Sequence, residues 1–249
     1  MPRGGRWTNW KRGIDKVYFD WNEDTIRWYL DSETYTGFFK HLAGVIAPML
    51  ADCRTLCDIG CGLALFDFEI HPLLDRIDCV DISETALASV EERAEKLGIR
   101  KIHTIHRDSH SLNGSWDAVY MSFFGSRELD RYLPLCKKLI SVVSGPSDEL
   151  LFPRRTCSFA HSTIENAKTY LERRGIPFEL TAAKHDFGQP LATRKDAEHF
   201  VRSYFHDASE EELHAFLAQR LTETGDPAFP YYIPRTKTVG IFELDGHLS

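Results

Sequence analysis

The sequence predicts an α/β protein, a largely parallel sheet with helices on both faces. Three observations carry this. Residues 56–66 read as a short apolar strand reaching Asp58, a turn holding Gly60 and Gly62, and an apolar run that opens a helix. Strand-like runs then alternate with runs of helical period along most of the chain. The borders between them carry helix start and stop residues, Ser83 before one helix, Gly98 and Gly175 after two others. Strands joined through helices run parallel and are covered on both faces.

In chain order, the first 30 residues are rich in rings: Trp7, Trp10, Tyr18, Phe19, Trp21, Trp28 and Tyr29. They read either as staples that hold an arm to the domain or as a lid, since rings exclude water and attract a cation. Tyr35, Phe38, Phe39, Leu42, Ile46 and Leu50 recur at helical spacing, which predicts one amphipathic helix over 33–50. Strand 55–59 leads into a helix over 63–74, and strand 77–82 into a helix from Ser83 to Gly98 with Leu87, Val90, Ala94 and Leu97 on one face. Strand 101–106 and a polar loop follow, then a fourth strand over 116–124 and a helical stretch that Pro134 starts or kinks. Residues 149–153 read as the fifth strand, 162–174 as a helix closed by Gly175, and 178–186 as the sixth strand. Two more helices are announced by Thr193-x-x-Asp196 and Ser209-x-x-Glu212, and residues 236–244 form the last strand. The 249 residues are expected to make one domain: an arm or lid over 1–32, a ligand-binding core over 33–190, a helical insertion over 191–235, and the last strand and tail over 236–249.

Composition narrows the partners. Hydrophobic residues make up 43% and charged residues 27%, with a net charge of −7. No broad basic face follows, which argues against nucleic acid held by its phosphates. The basic run Arg3, Arg6, Lys11, Arg12 and Lys16 reads as a solvated tail. No apolar run approaches the roughly 18 residues of a membrane span, and the first residues do not resemble a signal sequence, so a cytoplasmic protein without a membrane partner is expected. The six cysteines then read as reduced thiols. Cys53-x3-Cys57-x3-Cys61 misses the C-x3-C-x2-C spacing of an iron–sulfur ligand set by one residue, and His103, His106 and His110 straddle a strand and its loop. No metal is expected. Oligomeric state is left open.

The spacing within the turn selects the ligand. A dinucleotide loop, G-x-G-x-x-G, needs a small residue at position 65, which here is Leu65. Asp58-x-Gly60-x-Gly62-x-Ala64 resembles instead the first motif of class I S-adenosylmethionine (SAM) methyltransferases, with Ala64 where that motif has a third glycine. The resemblance covers roughly residues 40–190 and the last strand. It implies a Rossmann-like seven-stranded sheet, mostly parallel with an antiparallel last strand, SAM as cofactor and S-adenosylhomocysteine as product. By position it implies that Asp81, ending the second strand, accepts both ribose hydroxyls while Ile82 lies against the adenine. A carboxylate suits that role because it accepts twice and carries no competing donor. Asp108, with Ser109 beside it, falls where the family places an acid on the adenine amino group. The backbone of Gly60, Cys61 and Gly62 and the Asp58 side chain would meet the amino-acid end. Met121, Ser122 and Phe123 would line the sulfonium and methyl, and Tyr35 is the candidate to close over the methionine portion.

Methyl transfer from a sulfonium is an in-line displacement whose leaving group is built into the cofactor, so alignment and exclusion of water matter most. A general base is needed only where the acceptor loses a proton. The fourth strand ends Ser122-Phe123-Phe124, not in the Asn/Asp-Pro-Pro-Tyr/Phe box of base-amine methylation, and no acidic trio of the metal-dependent catechol type is present. Tyr18, Tyr29, His161, His185, Tyr231 and Tyr232 are candidate groups on the acceptor side, with His161 as the base because imidazole titrates near neutrality. Arg154 and Arg155 read as a solvated loop pair that could meet an anionic acceptor. The expectation is a SAM-dependent methyltransferase acting on a small molecule. The alternatives are a non-catalytic SAM- or partner-binding protein of the same fold and a nicotinamide-dependent oxidoreductase.

Overall fold

A computed structural model describes residues 19–124, 128–145 and 163–247. The basic run, the 149–153 stretch, Tyr18, Arg154, Arg155 and His161 lie outside the described residues. The chain divides into two compact units. One holds the described residues before Phe38 together with Asp186–Thr236; the other holds those of Phe38–Asp148, Ser158–His185 and Lys237–Ser249. Strands and helices are numbered along the chain through both. No helix among the described residues is long and apolar enough to cross a membrane.

The larger unit is built on seven strands: β1 (Thr55–Ile59), β2 (Arg76–Asp81), β3 (Ile102–His106), β4 (Trp116–Ser122), β5 (Cys136–Ser144), β6 (Glu179–Asp186) and β10 (Thr236–Asp245). Their order is β3-β2-β1-β4-β5-β10-β6. β3, β2, β1, β4 and β5 run parallel, and β10 runs antiparallel to β5, from Val239 opposite Ser144 to Asp245 opposite Lys138. This is the mostly parallel sheet with an antiparallel last strand that the resemblance implies. The central strands are apolar on both faces, as a doubly covered sheet demands. Every residue of β1 after Thr55 is buried, and Ile59, Val80, Val119, Leu139 and Phe242 share one core. Helix α4 (Glu84–Leu97) starts where Ser83 Oγ accepts from Ala86 N and stops at Gly98, whose φ is 66°. Thr163 and Gly175 bound α5 (Ile164–Arg174) in the same way. The strand order reverses between β1 and β4, and the carboxyl ends of strands at such a reversal are the usual ligand position in sheets of this kind.

Three expectations need correction. The fifth strand of the sheet is β5, over residues the sequence reading left in a helical stretch; its apolar residues Leu139, Ile140, Val142 and Val143 are buried between β4 and β10. The single helix expected over 33–50 is α1 (Glu23–Thr36), then α2 (Phe38–Ile46), then a 3-10 turn; Gly37 sits between them at φ 63°, a left-handed conformation that ends a helix. The helix expected over 63–74 is α3 (Leu65–Ile70) with a 3-10 turn that Pro72 helps to form.

The smaller unit packs α1, α6 (Arg194–Tyr204) and α7 (Glu210–Arg220) with a sheet of β7 (Gln189–Leu191), β9 (Tyr231–Ile233) and β8 (Thr222–Glu223). Asn22 opens α1 with a capping box, its side chain accepting from Asp24 N and Thr25 N while Thr25 Oγ1 accepts from Asn22 N. Trp28 is a core residue, 1% exposed and edge-on to Phe200. Its indole N–H donates to Asp196, which also receives a bidentate pair from Arg27 at 2.7 and 3.2 Å. Burial works to raise the Asp196 pKa, but these donors outweigh it and hold the carboxyl below its ordinary value.

Candidate cofactor site

The site in the larger unit starts from the turn after β1. Gly60, Gly62 and Ala64 have φ of 76°, 53° and 52°. Three left-handed residues in five positions curl the backbone tightly, and Gly60 N and Cys61 N both donate to Val80 O at 2.7 and 3.2 Å. A side chain at position 60 would meet the Phe124 ring at 2.5 Å, so glycine is required there by space as well as by φ. Ala64 adopts the same backbone at a cost of about 1–2 kcal/mol, because its Cβ crowds the carbonyl. Ala64→Gly relieves that crowding and loses part of the gain to chain entropy. It should raise stability by about 0.5–1 kcal/mol in urea unfolding, whereas a destabilised variant would show that the methyl's packing outweighs the strain.

Asp81 ends β2 facing this turn. Its Oδ2 accepts from Gly62 N at 2.9 Å and its Oδ1 from Ser83 N at 2.8 Å, so one carboxylate ties the glycine turn to the entry of α4. Each oxygen offers two acceptor positions, and each has one to spare. Arg107 N donates to Asp81 O, which brings the loop after β3 alongside. In that loop Asp108 accepts from His110 N at 2.9 Å and caps the turn Ser109–Ser111, and Ser109 Oγ lies 3.1 Å from the Tyr132 hydroxyl. Ile82 is half-buried, and its carbonyl lies 3.0 Å from His106 Nε2. The structure thus brings Gly60, Cys61, Gly62, Asp81 and Ile82 together, with Asp108 and Ser109 on the adjoining loop.

Asp58 is 2% exposed and Asp67, in α3, is 0% exposed. Burial raises both carboxyls, Asp67 to about 6 and Asp58 well above the carboxylate range, with the Asp67, Cys61 and Asp81 charges adding to the latter. The Cys61 and Cys79 thiols also lie together, and Cys57 beneath them is pushed up by burial. Among the described residues, no group of three or more His, Cys, Asp or Glu is arranged to hold a metal.

At the end of β4, Ser122 is half-buried and Met121 buried. Phe123 follows at φ 53°, held by its N–H to Val142 O. Lys237, buried near the start of β10, sets Nζ 3.2 Å over the Phe123 ring and 5.7 Å over that of Phe38, a cation–π arrangement. His185 stacks on His41 with centroids 4.4 Å apart. Tyr35 belongs to the smaller unit, where it ends α1, 36% exposed, beside Tyr232 and Phe229. In that unit Tyr29 packs on Trp21 and Phe187, and the Tyr232 hydroxyl accepts from Gly188 N.

Sequence reasoning missed Asp67 and Lys237. A lone acid within Leu65-Phe66-Asp67-Phe68 was a signal for the first. Lys237 carried none, since a lysine near a strand end ordinarily faces water.

Solved structures with the same architecture are known. The magnesium protoporphyrin IX methyltransferase of Synechocystis PCC 6803, solved with SAH, matches at a TM-score of 0.51 over 92% of this chain and 89% of that one, with 14% identity. The chain has the class I methyltransferase fold. SpnF, described as a 4+2 cyclase, matches at a TM-score of 0.51 over 84% of this chain and 82% of its own, with 15% identity. No family model matches the sequence, and no curated protein does. At such identities the likeness concerns the fold, and the two neighbours are named for different reactions.

Proposed function

We propose that the chain binds SAM at the glycine turn and transfers its methyl group to a small-molecule acceptor. The observation that carries this is the tie between Gly62 N and Asp81, which sets an acid with unused acceptor positions against a close-curled turn at the point where strand order reverses. In this reading Asp81 accepts the ribose hydroxyls, Ile82 lies against the adenine, and Asp108 and Ser109 meet its polar edge. The backbone at Gly60, Cys61 and Gly62 and the buried Asp58 take the amino-acid end. Ser122 and Phe123 stand at the reacting end, where their task is to orient the acceptor and keep water out. When bound, SAM supplies a methyl group already activated on a sulfonium. Tyr35 and His161 keep the parts given them by the sequence, closure over the cofactor and proton removal from the acceptor. The net charge of −7 supports a small-molecule acceptor over a polyanionic one.

The Phe124 ring against Gly60 favours a second reading, in which the chain covers its own glycine turn and the fold serves to bind a partner. Calorimetric titration with SAM, S-adenosylhomocysteine and NADH separates them. The first two should bind and the third should not. Failure of both adenosyl ligands leaves the second reading, and binding of NADH alone would point to the oxidoreductase.

A further inference from the structure

Asp58 stands just before the glycine turn, on β1, and Asp67 just after it, on α3. Both are almost wholly buried, and Asp58 Oδ1 and both oxygens of Asp67 meet no hydrogen-bond donor. Two carboxylates packed together without donors cannot both stay ionised, because each would be a buried, uncompensated charge. One proton between them answers both needs, supplying the missing donor and removing one charge. The groups that face the pair do not change this. Cys61 on the turn and Asp81 on β2 act on Asp58 in the same direction as Asp67, and Tyr120 on β4 lies opposite Asp58 in register. The Cys79 thiol on β2 lies beside Asp67 and favours its charged form, but a thiol is a weak donor and leaves both oxygens without a full hydrogen bond.

We propose that Asp58 and Asp67 share a single proton in the ligand-free protein, and that the ammonium end of SAM drives it off to solvent, so that cofactor binding releases a proton and Asp67 acts as a positioning residue through Asp58. The inference rests on the reading of the turn as a SAM site. A cation brought to the turn stabilises the doubly ionised pair, and the pair then attracts the cation more strongly than one carboxylate would. Proton loss and cofactor binding are therefore linked. In Asp67→Asn the amide donates to Asp58 without a titrating proton, Asp58 ionises, and the linkage disappears.

Two measurements on the full chain test this. Infrared titration of the ligand-free protein should show a protonated carboxyl persisting at neutral pH, absent in Asp67→Asn; its disappearance in the native protein near the ordinary carboxylate range would overturn proton sharing. SAM calorimetry in buffers of different ionisation enthalpy should show close to one more proton released by the native protein than by Asp67→Asn. Native affinity should rise with pH relative to the variant, approaching about tenfold per pH unit where the ligand-free pair holds its proton and the bound pair does not. The ligand's own titration is common to both proteins and cancels. SAM binding with equal proton release overturns the inference and leaves the proposed function standing, whereas no SAM binding by the native protein overturns both. Asp58→Asn serves for the same comparison if Asp67→Asn does not fold.

Discussion

Asp81→Ala should weaken SAM binding by about 1.5–3 kcal/mol, the range for a hydrogen bond to a charged group, or roughly tenfold to 150-fold in the dissociation constant. The substitution acts twice. It removes the acceptor proposed for the ribose hydroxyls, and it unties Gly62 N and Ser83 N, which the carboxylate holds at 2.9 and 2.8 Å. The glycine turn would then have to be ordered by the ligand, at the ligand's expense. Asp81→Asn separates the two roles in part. Its amide keeps one acceptor oxygen, but its NH2 faces a backbone N–H, so one tie is lost and one survives. The expected order of affinity is native, then Asp81→Asn, then Asp81→Ala, measured calorimetrically on protein whose urea unfolding is checked in parallel. An unchanged dissociation constant in Asp81→Ala would take Asp81 out of the site.

The parts of this protein legible in its sequence are those whose physics is local. The turn at Gly60 and Gly62, the Ser83 cap, the Gly98 and Gly175 stops and the Ser209–Glu212 capping box are each decided within a few residues, and each is found where the sequence places it. β5 was not legible, because it begins Cys136-Lys137-Lys138 directly after a turn containing Pro134. What makes it a strand is distant: β4 on one side, β10 from the far end of the chain on the other, and Glu243, which pairs with Lys138. The break at Gly37 was hidden by apolar residues on both sides that keep a helical period. Trp28 was legible as either a staple or part of a lid, and its core position could not be chosen from sequence because the acid that satisfies its indole, Asp196, lies 168 positions away. Likewise Asp81 was legible as an acid at a strand end, but its grip on Gly62 required the two strands to be paired. Pairing of distant elements, not propensity, separates what was read from what was missed.

The buried pair at the turn has a consequence for stability that requires no ligand. An unfolded carboxyl titrates near 3.9. Folding raises Asp67 from 3.8 to about 6, first through burial. Between these values folded Asp67 holds a proton that it has lost in the unfolded chain, so its contribution to stability falls as pH rises from about 4 to about 6. At ~1.4 kcal/mol per pH unit the loss attributable to this residue is about 3 kcal/mol. Asp67→Asn has no such proton to hold. Relative to the native protein it should therefore gain stability between about pH 4 and pH 7 in guanidinium unfolding, by about 3 kcal/mol from the proton of Asp67 and further in the same direction because Asp58, without its charged neighbour, ionises earlier. Replacing a buried acid by an amide that can donate to Asp58 fixes the sign, because the amide supplies the missing donor and carries no proton to titrate. Parallel pH profiles for the two proteins would mean that Asp67 ionises at an ordinary pH within the fold, and a proton shared across the glycine turn would be ruled out with it.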